Sequence, residues 1–232
     1  MSNQPSEPLL VMLQVANAAF PTGAFNHSFG FETLIEHGTI HNATSLESHC
    51  RDWLRYAVAP ADGAGVALAH RAWRANDERG LKAIDETLGA LKLAREVRDA
   101  SIRCGRALLS ALNDVFEPSP LASLGAAIRA GQLEGHQGTV FGAGAAALGV
   151  SERDGVLAFL QSSLINMTSV GARLIPLGQV ETQRIVARAQ GLIQESVTLA
   201  LDRRLGDLGS TTIAFDIAAM EHERLTTRLC MS

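Results

Sequence analysis

Thr139-Val140-Phe141-Gly142-Ala143-Gly144-Ala145-Ala146-Ala147-Leu148-Gly149-Val150 runs straight into Ser151-Glu152-Arg153-Asp154-Gly155-Val156-Leu157-Ala158-Phe159-Leu160-Gln161-Ser162-Ser163-Leu164-Ile165-Asn166-Met167-Thr168-Ser169-Val170-Gly171-Ala172-Arg173-Leu174-Ile175. Neither half alternates apolar and polar residues, and both are too long for strands. The pattern predicts two mostly buried helices, Thr139 to Leu148 and Ser151 to Ile175, separated at Gly149 and stopped by Pro176 and Gly178. Gly142-Ala143-Gly144-Ala145-Ala146-Ala147 imitates a G-x-G-x-x-A dinucleotide fingerprint. That fingerprint needs a strand before it and a carboxylate about twenty residues later, and Ser163 to Met167 supplies none. Close helix-helix contact through small residues is the reading that remains.

Working outward, nearly every segment has helical spacing. Leu9, Leu10 and Leu13 follow Pro8, a good first-turn residue. Pro21 and Gly23 break that helix, and a second is predicted from His27 to His37, ending at Gly38. Thr44-Ser45-Leu46-Glu47 reads as a capping box for a helix carrying Trp53, Leu54 and Val58. A long helix is predicted from Leu81 through Leu112 to the Pro118-Ser119-Pro120 stop, and another from Gln179 to Leu205. Gly206 to Ser210 reads as a linker, and Asp216 as the cap of a short last helix. Thr211-Thr212-Ile213-Ala214-Phe215 is too short and isolated to build a sheet. The expectation is an all-α chain of eight to ten helices: a body over 1–205, with 1–7 disordered, and a separable tail over 206–232.

Composition narrows the function classes. The 232 residues are 47% apolar and 19% charged, with a net charge of −4, an ordinary globular balance. Aromatics are 5% with a single Tyr56, so neither a phosphate-neutralising face nor a base-stacking platform is available, and no nucleic-acid partner is expected. Three widely spaced cysteines, Cys50, Cys104 and Cys230, give no disulfide or zinc framework and fit a reducing compartment. Residues 1–7 lack a basic n-region, and Gly138 to Val150 is too short to span a bilayer. A cytoplasmic protein without a membrane partner is the expectation.

Candidate chemistry is sparse. Seven histidines are scattered: His37 and His41 flank a helix-ending Gly38, His222 and Glu223 point apart as neighbours on a helix, and His27, His49, His70 and His136 stand alone. No local cluster supplies three convergent ligands, so no metal site is expected. Ser28 next to His27 is not a nucleophile elbow, and there is no phosphate-cradling loop, so no catalytic residue, cofactor or nucleotide site is expected. Phe20, Phe25, Phe29 and Phe31 hold half of the eight phenylalanines, and periodicity leaves core and partner surface equally open for them. Arg173 is the lone cation between Val156 and Val180.

Three blocks in chain order carry a resemblance. Phe20 to Glu32 contains Pro21, Gly23, Phe25, Ser28, Gly30 and Glu32 in a Pro-x-Gly-x-(aromatic)-x-x-Ser-x-Gly-x-Glu pattern. Val170 to Gln179 contains Arg173, Pro176, Gly178 and Gln179, and Asp216 to Arg224 contains Met220, His222 and Glu223, with Arg228 beyond. From Leu9 to Arg228 the chain resembles the UreF-type urease accessory proteins. The resemblance implies a helical, dimerising, non-enzymatic chaperone or scaffold. It would bind the UreD (UreH) accessory protein, recruit the GTPase UreG, and promote GTP-dependent nickel delivery to apo-urease. The matched residues, together with Ile217 on the tail, become the candidate partner-binding set. The tail departs from the family in reading Thr226-Thr227-Arg228-Leu229-Cys230, without the usual aromatics. Two other readings compete: a helical enzyme whose site gathers dispersed histidines and carboxylates in a deep pocket, and a helical interaction domain unrelated to urease.

Overall fold

A computed structural model describes residues 7–232, and no strand forms among them. The expected disorder over 1–7 therefore lies, Glu7 apart, outside the described residues. Pro8 opens α1 (Pro8–Val15), where its missing N–H costs nothing. After a 3-10 turn at Ala24–Asn26, α2 spans only Phe31–Glu36. The predicted start at His27 fails because Phe29 and Gly30 take left-handed backbone, φ 50° and 90°, which keeps 27–30 free to pair elsewhere. In α3 (Ala43–Trp53) the capping box is Asn42 with Ser45, two residues before the predicted one.

From α3 the chain continues into a π-helical stretch (Leu54–Gly63) and then α4 (Ala64–Arg74). Pro60 inside the stretch lacks the N–H that an α-helix would give to the Tyr56 carbonyl. Thr211 N–H donates to that oxygen at 3.1 Å, and Gly209 N–H donates to the Pro60 oxygen at 3.3 Å. The predicted linker is thereby fastened to the body. The predicted helix from Leu81 is two helices, α5 (Glu78–Leu91) and α6 (Arg95–Val115), parted where Lys92 turns its ammonium onto Asp62 at 2.8 Å.

Next come α7 (Ala122–Arg129), α8 (Gln137–Ala147) and α9 (Glu152–Leu174), the last capped by Ser151 through the Asp154 N–H. Gln179 to Leu205 also divides, at Ala189, into α10 (Gln179–Arg188) and α11 (Gln190–Asp202). The last helix, α12 (Ile213–His222), begins at Thr212, with Asp216 in its first turn rather than at the cap. Twelve α-helices thus replace the expected eight to ten among the described residues.

The opening stretch forms the centre, as its composition implies. A Cβ at Gly142 would collide with the Val66 carbonyl, and one at Gly144 would stand 2.7 Å from Leu112 Cδ1, so α8 lies directly on α4 and α6. Phe141 of α8 meets Phe159 of α9 edge-on at 5.3 Å. Leu160, Leu164 and Met167 of α9 are wholly buried beside Leu46, Leu108, Leu112 and Ile185 in one continuous core. By length and composition α9 alone among the described helices could cross a membrane, and half of its apolar window is buried inside the fold.

Candidate functional site

Glu32 enters α2 in its first turn and is 6% exposed. Gly30, just before it, could not carry a side chain: a Cβ would meet Ala219 N and Phe215 O at 2.9 Å each. That gap lets the start of α2 touch α12 and aims Glu32 at the tail. Its carboxylate accepts the Leu229 N–H at 2.6 Å and the Cys230 N–H at 3.0 Å. Nε2 of His222, a fully buried residue of α12, lies 2.9 Å away. His222 Nδ1 faces Glu96 of α6 at 2.7 Å, and the other Glu96 oxygen accepts from Arg228 at 2.9 Å. Arg95, beside Glu96, donates to Glu223 at 2.9 Å. Burial alone would raise the Glu32 carboxyl. The Leu229, His222 and Cys230 donors outweigh it and hold the group below its ordinary value.

The stretch before α2 grips the end of the tail. Ser28 N–H, Phe29 N–H (3.1 Å) and Ser28 Oγ (2.7 Å) all donate to the Ser232 main-chain oxygen. His27 Nδ1 lies 2.8 Å from Ser232 Oγ, and Met231 N–H donates to Asn26 O at 2.7 Å. Cys230 and Ser232 point inward while Leu229 and Met231 stay exposed. Burial, reinforced by Arg103 and only partly opposed by Glu96, pushes His27 down to about 4. Burial, with the Glu32 carboxylate beside it, likewise takes the Cys230 thiol up to about 11, which disfavours the thiolate.

The second block joins through Arg173. Its guanidinium donates to Phe25 O at 2.6 Å and stacks 3.9 Å above the Phe25 ring. Phe25 itself is 43% exposed, outside the core that takes Phe20 and Phe31. All three sequence blocks therefore meet in one region, and the candidate residues divide within it. Ser28, Gly30, Glu32 and His222 are buried and hold the region together. Pro21, Gly23, Phe25, Arg173, Ile217, Met220, Glu223 and Arg228 are exposed around it. Pro176, Gly178 and Gln179 form the exposed start of α10, where the Gly178 carbonyl accepts from Glu181 and Thr182.

Sequence reasoning missed three members, Glu96, His27 and Asn26. Glu96 is one polar residue on a charged helix, His27 looked solitary, and no local signal couples Asn26, or the expected Ser28, to residues some 200 positions away. The tail expected to be separable is fastened along its length: the cost of nucleating a short helix was visible, but the long-range charge partners that offset it were not. No three His, Cys, Asp or Glu side chains are placed to hold a metal ion among the described residues.

The comparisons agree on the family. The UreF family model matches residues 40–190. A urease accessory protein UreF from Paenarthrobacter aurescens is 33% identical over 223 residues, 96% of this chain and 97% of the relative. The Haemophilus influenzae urease accessory protein UreF is 33% identical over 230 residues, 99% and 98% of the two chains. That of Geobacillus kaustophilus is 31% identical over 226 residues, 97% and 99%. The fold is a helical body in which residues 26–32 hold the tail, and the chain belongs to the UreF family of urease accessory proteins.

The depressed His27 has a defined consequence for stability. As pH falls from 6.5 toward about 4 the unfolded chain takes up a proton that the native imidazole refuses, so stability is lost in that window. The full effect is on the order of 3 kcal/mol. The depressed Glu32 carboxyl adds a loss that begins as pH falls through the ordinary glutamate range. Urea denaturation across this range should show the decline, and His27→Asn should flatten its upper part. An unchanged slope in the variant would assign it to other groups.

Proposed function

We propose that this chain is a non-catalytic scaffold for urease maturation: it binds the UreD (UreH) accessory protein, recruits the GTPase UreG, and promotes GTP-dependent nickel delivery to apo-urease in the cytoplasm. The observation that carries the reading is the exposed apolar surface around the fastened tail. Ile213, Ile217 and Met220 lie along the outer side of α12, 73%, 50% and 42% exposed. Their opposite face, Phe215, Ala218, Ala219 and His222, is buried against the body. A rigid helix offering an apolar stripe flanked by Glu223 and Arg228 suits capture by another folded protein. Phe25 under Arg173 adds a second anchor with little side-chain freedom left to lose. In this reading Pro21, Gly23, Pro176, Gly178 and Gln179 shape the rim, and Ser28, Gly30, Glu32 and His222 act through the position they give the tail (206–232).

A homodimer belongs to the same proposal. Leu9, Leu10 and Leu13 of α1 are more than 60% exposed, and Leu9 and Leu13 border a groove of about 830 Å³ lined also by Phe25, Leu157 and Ile165. A second copy would cover this surface.

Replacing Ile217 and Met220 together by Asp leaves every anchoring contact in place. The variant should keep its helical content and melting temperature yet lose UreD capture and urease activation in cells. Capture of UreD at the wild-type level would remove the tail from the interface. Light scattering at micromolar concentration should give twice the 24.6 kDa chain mass, and Leu9→Asp with Leu13→Asp should return it to one; a monomeric parent protein would refute the dimer.

A further inference from the structure

A second buried constellation lies away from the tail. The segment Leu133 to Gln137 passes between α5 and α6 at two glycines: a Cβ at Gly89 would meet His136 Nε2 at 2.7 Å, and one at Gly105 would collide with the Gly135 carbonyl. Asp85, 1% exposed, accepts three successive main-chain N–H groups, from Glu134 at 2.7 Å, Gly135 at 3.0 Å and His136 at 2.8 Å. The product of this arrangement is one fixed imidazole, wholly buried. His136 Nδ1 stands 3.1 Å from Ser101 Oγ of α6, and Nε2 stands 3.2 Å from Glu134 Oε2.

Burial, with Lys92 nearby, lowers the His136 pKa against the opposing pull of Asp85, Asp62 and Glu134, which favours the neutral ring. A carboxylate can only accept, so the single ring proton belongs on Nε2, and Nδ1 offers its lone pair to the Ser101 hydroxyl. Ser101 Oγ in turn accepts the Gln137 N–H at 3.3 Å, at the start of α8. Ser101 also lines a cavity of about 110 Å³ with Lys92, Asp62, Gln137 and Ser163, room for several waters or a small acyl group.

We propose that Ser101 is a nucleophile for small acyl donors, with His136 as its general base and Glu134 as the positioning residue that fixes the ring. The hydroxyl–imidazole–carboxylate order is the one that serine hydrolases of unrelated folds use to activate their nucleophile. Ser101 Oγ bonds to the acyl carbon as its proton passes to His136 Nδ1, and the leaving group departs with that proton. Water then attacks the ester, gives a proton to Nδ1, and the carboxylic acid leaves as Oγ regains its hydrogen. The Gln137 N–H holds Ser101 Oγ from the start of α8 and so fixes the direction of its lone pairs. The scaffold role does not require this chemistry: a confirmed acyl transfer would end the non-catalytic part of that reading and leave its partner binding intact, and its failure would leave the scaffold reading as it stands.

Methanesulfonyl fluoride is small enough for the cavity, and sulfonylates a serine with loss of fluoride and the hydroxyl proton. Incubated with the full chain and followed by peptide mass spectrometry, it should label Ser101 ahead of the other serines. Labelling should slow about a hundredfold in His136→Gln and about tenfold in Glu134→Gln. Glu134 is 63% exposed, so its variant folds and decides the matter if the histidine variant does not. The chain should also release acetate from a small acetyl ester faster than Ser101→Ala does. An unlabelled Ser101, or equal labelling rates in the parent and the Glu134 variant, would overturn the proposal.

Discussion

A carboxylate taken out of water is tolerated only when donors replace its hydration, and Glu32 draws all of its donors from the far end of the chain. Leu229 N–H, Cys230 N–H and His222 reach it from about 190 residues and more away in sequence. Tail docking and Glu32 burial are therefore one event. Without the tail a buried charge is left unpaired. Without Glu32 the tail has two unsatisfied main-chain donors and an imidazole pressed against Glu96. The same logic explains Gly30, since any side chain there would hold α12 away and leave the carboxylate short of its partners.

The arrangement separates holding from contacting. Ser28, Glu32 and His222 are hidden and determine where the surface lies, while Phe25, Arg173, Ile217 and Met220 form that surface. A short helix is a poor binding element when loose, because a partner must supply its ordering free energy. Fixed to the body through His222 and Arg228, α12 presents its apolar stripe already ordered. Substitutions at the hidden positions would then resemble interface mutations in a binding assay while acting through geometry.

Much of this was legible in the sequence, and the failures share a cause. The run from Val156, uncharged but for Arg173, and the glycines at 142 and 144 identified the helical class and the central packing, because burial leaves a mark on composition. The helix break at Lys92 left none, since a tertiary partner, Asp62, marks it, and the one at Ala189 has neither proline nor glycine at the break itself to announce it. Pro60 was visible as a proline, but the use of the Tyr56 carbonyl by Thr211 was not. The three blocks were found as patterns, and the structure supplies the reason they travel together: Glu32 pairs with His222, and Arg173 covers Phe25. Glu96 escaped notice because a carboxylate in the first turn of a charged helix looks like any other until the imidazole opposite it is known.

The central claim, that the first and last blocks form one coupled unit through Glu32 and His222, is tested most directly by a double-mutant cycle. Unfolding free energies of the parent, Glu32→Gln, His222→Asn and the double variant, measured near neutral pH, give the coupling between the two side chains without the general cost of either replacement. The account predicts a favourable coupling of more than about 1 kcal/mol. Single-variant losses that simply add would mean that the tail is held by other contacts and that Glu32 is not its anchor.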